Sequence, residues 1–128
     1  MKRRILVVDD EDTIRKFVKI HLIKLGYDVL EAGDGEQAID QLRKNQVDLL
    51  ICDIVMPRKN GWEVIQELRS RSSTRDIPVI VLTAKNQDTD MFKGYELGAN
   101  YYITKPFTKS QLVFGVNLIF DKTMGLKR

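Results

Sequence analysis

The sequence predicts an α/β domain in which helices wrap both faces of a five-stranded parallel sheet, a doubly wound arrangement. Short apolar runs recur along the chain, such as Ile5-Leu6-Val7-Val8 and Leu49-Leu50-Ile51-Cys52, and they are typical of strands buried on both faces. A segment with helical periodicity follows each run over the whole length of the chain. Regular alternation of strand and helix predicts this architecture.

The predicted elements follow one another without an internal repeat, a low-complexity tract or a linker. Strands are predicted at 3–8, 27–32, 47–52, 77–82 and 100–104, and helices at 12–25, 35–44, 61–70, 87–97 and 108–121. The first helix has apolar positions at i, i+3, i+4 and i+7, which are Ile14, Phe17, Val18, His21, Leu22 and Leu25. Gly26 and Gly98 are predicted C-caps of the first and fourth helices, and Thr108 is a predicted N-cap of the last helix.

The composition of the strands predicts their order in the sheet. The first, third and fourth strands are apolar throughout and suit the middle, whereas the second and fifth mix polar and apolar residues and suit the edges. Right-handed crossovers with the second and fifth strands outermost give the order 2-1-3-4-5. The winding direction then reverses between strands one and three, and ligands of such sheets bind there, at the carboxyl ends of the strands.

Length and composition fit one domain covering residues 1–128, which ends in a short basic tail at 122–128. The chain is 43% hydrophobic and 30% charged, which is ordinary for a globular protein. No apolar stretch approaches the roughly 20 residues of a membrane span. Only four apolar residues follow Lys2-Arg3-Arg4, too few for a signal peptide. We therefore expect a cytoplasmic protein that does not bind membranes.

Composition also excludes several classes of site. Cys52 is the only cysteine and lies in an apolar run, which indicates a buried small side chain rather than a reactive thiol. The single histidine, His21, excludes the usual multi-histidine metal sites. The net charge of +3 is modest and the basic residues are scattered, so no direct binding of nucleic acid is expected.

Acidic residues follow two of the apolar runs. Asp9 and Asp10 come directly after the first strand, and Asp53 comes directly after the third. Three carboxylates at neighbouring strand ends repel one another and require a cation, and carboxylate oxygens are ligands that Mg²⁺ prefers. Asp10 and Asp53 would bind Mg²⁺ directly, with Asp9 acting through a water. The alternative is that the acids after the first strand only cap the first helix, but capping does not explain Asp53.

Two further strand ends complete a candidate site for phosphoryl transfer. The fourth strand ends in Leu82-Thr83-Ala84, which supplies a hydroxyl, and the fifth ends in Thr104-Lys105-Pro106, which supplies an ammonium. A carboxylate beside a divalent cation, a hydroxyl and a lysine can accept a phosphoryl group, because the two cations neutralise charge on the transferred oxygens. Threonine and lysine end many strands, so the signal lies in their combination with the three acids.

Several stretches in this order match one family. They are Ile5-Leu6-Val7-Val8-Asp9-Asp10-Glu11, Asp53-Ile54-Val55-Met56-Pro57 with Asn60-Gly61 after it, Leu82-Thr83-Ala84, and Gly98-Ala99 leading to Tyr102-Ile103-Thr104-Lys105-Pro106-Phe107. With them the chain resembles, over essentially its full length, the receiver domain of bacterial two-component response regulators, in particular the single-domain, chemotaxis-type receivers. The resemblance implies a flavodoxin-like fold and a phosphorylation-dependent signalling switch.

The resemblance also implies a role for each site residue. Asp53 would accept a phosphoryl group from a histidine kinase or a histidine phosphotransfer protein. Asp9, Asp10 and Asp53 would hold Mg²⁺ together with the backbone carbonyl of Val55. Lys105 would contact the phosphoryl group and would precede a peptide bond that is typically cis in this family.

The family's switch implies roles for two more residues. The hydroxyl of Thr83 would move toward the phosphoryl oxygens, and Tyr102 would turn inward to fill the vacated space. The surface formed by the fourth predicted helix, the fifth strand and the last helix would then change, and a downstream protein or effector domain would read it. Such a domain is not an enzyme, although it assists its own phosphorylation and dephosphorylation.

Other classes of protein fit less well. A haloacid-dehalogenase-like phosphatase also uses an aspartate nucleophile with Mg²⁺, but that family expects a second acid where this chain has Val55. A nucleotide-binding enzyme would need a glycine-rich loop where this chain has Asp9-Asp10-Glu11-Asp12. A receiver-fold interaction module that works without phosphorylation stays open as an alternative, and loss of a site residue would favour it.

Several features outside the site bear on partners. Ile20 and Ile23 lie off the core stripe of the first helix, so they are either exposed, on the face that docks the phosphodonor in this family, or in wide core contact. Phe114 with Tyr101 suggests an exposed apolar patch, and Trp62 is expected to pack on the surface of the third helix. The charged residues with which transcription-factor receivers often dimerise are not evident. The sequence does not decide between a stand-alone receiver and part of a longer regulator.

Overall fold

The computed structural model describes residues 2–84 and 98–126, which form a parallel sheet between two layers of helices. The strands are β1 Arg4–Val8, β2 Asp28–Ala32, β3 Leu49–Asp53, β4 Val79–Ala84 and β5 Tyr101–Lys105, and the helices are α1 Asp12–Lys24, α2 Gly35–Lys44, α3 Gly61–Ser70 and a C-terminal helix, Lys109–Leu126. The order β2-β1-β3-β4-β5 confirms the predicted fold class and strand order. The fourth predicted helix, 87–97, lies outside the described residues.

Burial follows the predicted strand positions. Strands β1, β3 and β4 are buried over nearly their whole length, whereas the edge strands β2 and β5 are largely half-buried. Neighbouring strand residues point to opposite faces, so the core has two parts. One part, which includes Leu6, Leu50 and Val81, lies under α2 and α3. The other, which includes Leu49 and Leu82, lies under α1 and the C-terminal helix.

Polar side chains and glycine define the helix ends. Asn60 and Glu63 form a reciprocal capping box at the start of α3. Gly26 follows α1 with a φ of 95°, which confirms it as a C-terminal cap residue. The side chain of Thr108 accepts a hydrogen bond from the backbone N–H of Gln111 at 3.2 Å, which confirms the predicted N-cap of the C-terminal helix.

Some predicted boundaries are wrong by a few residues. Strand β3 begins at Leu49 and includes Asp53, because its pairing with β1 starts at the Ile5–Leu49 pair. The C-terminal helix continues to Leu126, past its predicted end at 121. Residues 121–124 contain neither proline nor glycine, so nothing in that stretch ends the helix. Among the described helices, none is long and apolar enough to cross a membrane.

The start of α3 lies against the end of β3. A Cβ built on Gly61 would come within 2.3 Å of the carbonyl oxygen of Asp53, so this approach requires glycine. Trp62 follows, and it is buried in the core rather than on the helix surface as predicted. The close approach of the helix start brings the Trp62 side chain into the core. As the only tryptophan, Trp62 is a fluorescent reporter two positions past Asn60 and close to the end of β3.

Candidate functional site

The three predicted acids meet at the carboxyl ends of two paired strands. Strands β1 and β3 pair in parallel up to Val8 and Cys52, so Asp9 and Asp53, the next residues, are neighbours. Ligand oxygens of Asp9, Asp10 and Asp53 all lie within 4.8 Å of one another. Asp9 and Asp53 are buried, and Asp10 is exposed. The fold thus gathers three carboxylates that can hold a metal ion.

Lys105, the last residue of β5, supplies the cation nearest to this cluster among the described residues. Its Nζ lies 2.9 Å from Asp9 Oδ2, 3.3 Å from Asp53 Oδ2 and 3.7 Å from Glu11 Oε1. Burial lowers the pKa of Lys105, but the interactions with the carboxylates of Asp9 and Asp53 outweigh it, so the net pKa is raised and the amine stays charged. The peptide bond from Lys105 to Pro106 is cis, as the family resemblance implies.

The surroundings of Asp53 disfavour its charged form. Burial, followed by the charge of Asp9, raises the pKa of Asp53 to about 6, although Lys105 and the Val55 N–H act in the opposite direction. The Val55 N–H donates to Asp53 Oδ1 at 3.3 Å, while the Val55 side chain is exposed. One ammonium is therefore not enough to offset the clustered carboxylates.

The donor set fits a hard divalent cation. All the clustered side-chain ligands are carboxylate oxygens, the type that Mg²⁺ binds through one or two residues while it keeps several waters. Asp9 Oδ2 is fully buried and, within the described part of the chain, accepts no hydrogen bond of good geometry, although the Lys105 ammonium is near. A buried, under-satisfied carboxylate oxygen beside two others is the feature that a bound cation would satisfy.

Capping of the first helix does not account for Asp9. The N-cap residue of α1 is Glu11, whose side chain makes no capping hydrogen bond. Asp9 lies two residues earlier, and its Oδ1 accepts the Glu11 N–H at 2.9 Å while its other oxygen points toward Lys105. Only Asp12 lies in the first turn of α1, where a negative charge favours the helix.

The two proposed switch residues lie on the strands next to this cluster. Thr83 is one residue beyond Leu82, the pairing partner of Asp53, and its buried hydroxyl donates to the Ala84 carbonyl at 3.3 Å. Tyr102, on β5, pairs with Val81 of β4, and its half-buried side chain packs against the core part under α2 and α3. Tyr101 points to the opposite face and packs with the part under the C-terminal helix.

Arg15, which lies one turn into α1, was not predicted from the sequence to contact the site. Its guanidinium donates to the backbone carbonyl of Asp9 at 2.7 Å and to Glu31 Oε1, at the end of β2, at 3.1 Å, and it also pairs with Asp12. Its spacing of three from Asp12 was visible in the sequence, but the approach of β2 that brings Glu31 to it was not.

Exposed apolar side chains lie on two surfaces outside the site. Ile20 and Ile23 on α1 are 52% and 50% exposed, so wide core contact is wrong for both. Phe114 on the C-terminal helix is 60% exposed, and its ring centroid lies 6.4 Å from that of Tyr101. A shallow groove lined by Tyr101, Tyr102, Gln111 and Phe114 therefore runs along β5 and the C-terminal helix.

Known proteins are similar to this chain in sequence. Residues 5–117 match the family described as the response regulator receiver domain. The chain is 42% identical over 122 residues to the phosphate regulon transcriptional regulatory protein PhoB of Escherichia coli (strain K12), a match that covers 95% of this chain and 53% of that protein. The chain spans about half the length of the curated relatives it matches.

Solved structures match over nearly the whole chain. A putative response regulator from Chloroflexus aurantiacus J-10-fl is 36% identical, with a TM-score of 0.88 over 93% of this chain and 98% of that one. The chemotaxis protein CheY4 of Vibrio cholerae is 30% identical, with a TM-score of 0.87 over 91% of this chain and 98% of that one. The similarity therefore extends to both sequence and architecture, and the range matched by the family, residues 5–117, contains the strand ends that carry the acidic cluster.

Proposed function

The chain belongs to the response regulator receiver domain family, and on that premise we propose that Asp53 is the phosphoacceptor of a phosphorylation-dependent signalling switch. The observation that carries this proposal is the position of the Lys105 ammonium, 2.9 Å from Asp9 Oδ2 and 3.3 Å from Asp53 Oδ2, beside a cluster of three carboxylates. A group that accepts a phosphoryl needs positive charge of this kind close to the reacting oxygens.

The proposed reaction moves a phosphoryl group from a phosphohistidine to a carboxylate. An ionised oxygen of Asp53 bonds to phosphorus, the phosphorus–nitrogen bond breaks, and its electron pair returns to the imidazole of the donor. Asp53 must be ionised to react, and its pKa of about 6 leaves it mostly ionised at neutral pH. Lys105 neutralises negative charge that builds up on the transferred oxygens.

We propose Mg²⁺ as the resident cation. Asp9, Asp10 and Asp53 would hold it, with the backbone carbonyl of Val55 as a further ligand. A bound Mg²⁺ would offset the mutual repulsion of the carboxylates and draw electron density from the phosphoryl oxygens. The buried, under-satisfied oxygen of Asp9 supports this proposal.

The output of the proposed switch is a change on the side of β5. The acyl phosphate adds charge and acceptor oxygens at the carboxyl end of β3. Thr83, whose hydroxyl donates a long 3.3 Å hydrogen bond to the Ala84 carbonyl, would reorient toward them, and Tyr102 on the neighbouring strand would follow. The surface that changes would include β5, the C-terminal helix and the predicted helix at 87–97.

We propose two classes of partner. A histidine kinase or a histidine phosphotransfer protein would supply the phosphoryl group in the cytoplasm. A downstream protein or an effector domain would read the changed surface. PhoB is a transcriptional regulatory protein of about twice this length, which supports an effector domain as one form of output. In this scheme the chain is a regulator that assists its own phosphotransfer and not an enzyme with a separate substrate.

The proposal predicts one phosphoryl adduct per molecule when the protein is incubated with Mg²⁺ and acetyl phosphate, as read by intact mass. EDTA should abolish the adduct, and so should Asp53→Asn, which keeps the shape of the side chain but is a far weaker nucleophile. Asp48→Asn is the matched control, because Asp48 precedes the other end of β3 and accepts a hydrogen bond from the Arg4 N–H. It should be phosphorylated like the wild type.

Two results would count against the proposal. An undiminished adduct on the Asp53→Asn variant would assign the chemistry to another residue. A wild-type protein that binds Mg²⁺, as followed by Trp62 fluorescence, but takes no phosphoryl group would favour the interaction module that works without phosphorylation.

A further inference from the structure

Arg15 connects α1, the Asp9-Asp10 loop and β2 through a single side chain. Its three guanidinium nitrogens each meet a different acceptor: the carbonyl oxygen of Asp9 at 2.7 Å, Glu31 Oε1 at 3.1 Å and the carboxylate of Asp12. The side chain is only 16% exposed. Lys19, one turn further along α1, holds the other Glu31 oxygen at 2.8 Å.

The acceptor that matters for the site is the backbone carbonyl of Asp9. The Asp9 N–H donates to the Ala32 carbonyl at 3.2 Å, and Asp9 Oδ1 accepts the Glu11 N–H at 2.9 Å. With the bond from Arg15, every hydrogen-bonding group of the Asp9 backbone has a partner. Of these three bonds, the one from Arg15 acts on the peptide plane between Asp9 and Asp10, because that plane contains the Asp9 carbonyl, and the other two hold Asp9 on either side of it.

Asp10 depends on this peptide plane more than its neighbours do. In the part of the chain that the structure describes, the exposed Asp10 carboxylate makes no hydrogen bond and no ion pair, whereas those of Asp9 and Asp53 are held by Lys105. The direction in which Asp10 leaves the backbone thus decides whether its oxygen stays in the cluster of three carboxylates.

We propose that Arg15 is a positioning residue for the cation site: by holding the Asp9 carbonyl, it aims the Asp10 carboxylate at the ion. The inference rests on the proposed Mg²⁺ site and adds a residue that touches neither the ion nor the phosphoryl group. It acts through backbone geometry, in the way that outer-shell partners orient metal ligands.

Arginine suits this role, and lysine does not. Three acceptors surround the planar guanidinium of Arg15. A lysine ammonium on a flexible side chain cannot bind all three in fixed directions. Glu31 keeps its charge for the pairing, because the hydrogen bond from Lys19, more than any other cause, lowers the pKa of Glu31. Glu31, a residue of β2, therefore helps to hold the Arg15 guanidinium in place.

The test compares Arg15→Lys with Arg4→Lys. Like Arg15, Arg4 pairs with a carboxylate of β2, with 3.6 Å between its guanidinium and Asp28, but it lies on β1 at the opposite end of the strands. The affinity for Mg²⁺ alone is measured by Trp62 fluorescence on the full chain, with Asp10→Asn as the reference for loss of a ligand. We expect Arg15→Lys to weaken Mg²⁺ binding about tenfold, the lower end for loss of an outer-shell partner, and Arg4→Lys to leave it unchanged.

A second readout does not involve the metal. In ¹H–¹⁵N spectra of the metal-free protein, the Asp10 amide shares a peptide group with the Asp9 carbonyl, so Arg15→Lys should shift its signal and Arg4→Lys should not. Glu31→Gln, which keeps Arg15 but weakens its support, should give an affinity between those of the wild type and Arg15→Lys. This variant keeps the test decisive if Arg15→Lys folds poorly.

The outcomes separate this inference from the proposed function. Wild-type Mg²⁺ affinity in Arg15→Lys, together with weakened binding in Asp10→Asn, would overturn the positioning role and leave the metal site standing. An unmoved Asp10 amide in Arg15→Lys would also overturn the role. A wild-type protein without measurable Mg²⁺ binding would overturn the metal site itself, and the inference with it.

Discussion

Replacing Lys105 with methionine is expected to slow phosphorylation by acetyl phosphate about a hundredfold or more. Methionine keeps the length of the stem but removes the charge that lies 3.3 Å from Asp53 Oδ2. Removing one group that stabilises developing charge in a preorganised site costs on the order of 10² to 10³ in rate. The rate is measured as adduct formation by intact mass at saturating Mg²⁺.

Binding of Mg²⁺ should respond in the opposite direction. Lys105 lies 2.9 Å from Asp9 Oδ2, so it competes with a metal ion for the same carboxylates. Lys105→Met should therefore bind Mg²⁺ as tightly as the wild type or more tightly. The control is Lys59→Met, because Lys59 pairs with Glu36 and Glu67 instead of with the site. A Lys105→Met protein that is phosphorylated at the wild-type rate would contradict the role assigned to this ammonium.

Replacing Asp53 with asparagine is expected to stabilise the metal-free protein at pH 7. The substitution removes a buried charge whose pKa is raised from 3.8 to about 6, mainly by burial and then by Asp9. A shift of one pKa unit corresponds to about 1.4 kcal/mol. We therefore expect a gain in the free energy of unfolding of about 1 to 3 kcal/mol.

The pH dependence follows from the sign of the shift. Between pH 4 and pH 6 the folded protein binds a proton on Asp53 that the unfolded chain does not bind, so the contribution of this group to stability falls as pH rises through this window. The difference in the free energy of unfolding between Asp53→Asn and the wild type should therefore be largest above pH 6 and vanish below pH 4. Denaturant unfolding in EDTA at several pH values measures it.

An exposed carboxylate provides the comparison. Asp40 pairs with Lys44 at 3.0 Å on the surface of α2, so Asp40→Asn should lower stability slightly, by less than about 1 kcal/mol. If Asp53→Asn destabilised the metal-free protein at pH 7, burial and the charge of Asp9 would not disfavour the ionised form of Asp53 as described.

The architecture could be predicted from the sequence because its signals are local. Apolar runs mark β1, β3 and β4 as central, and mixed composition marks β2 and β5 as edges; handedness then leaves one order of strands. Carboxyl ends of parallel strands share one edge of the sheet. A residue that ends a strand, such as Asp53 or Lys105, could therefore be assigned to a common site before any distance was known.

What the sequence could not predict depends on contacts between distant elements. Arg15 meets Glu31 only because α1 packs beside the end of β2, and no periodic pattern encodes that contact. Trp62 was expected on a helix surface, but the approach of Gly61 to the Asp53 carbonyl brings it into the core. The C-terminal helix was predicted to end early because its apolar pattern fades before the helix does.

Whether Asp53 is the phosphoacceptor is decided by locating the phosphoryl group on the chain. The protein is incubated with Mg²⁺ and acetyl phosphate, and borohydride then reduces the acyl phosphate, which converts the modified aspartate to homoserine. Peptide mass mapping identifies the residue. We expect homoserine at position 53 alone. Homoserine at position 9 or 10, or a phosphoryl group on a residue outside the acidic cluster, would contradict it.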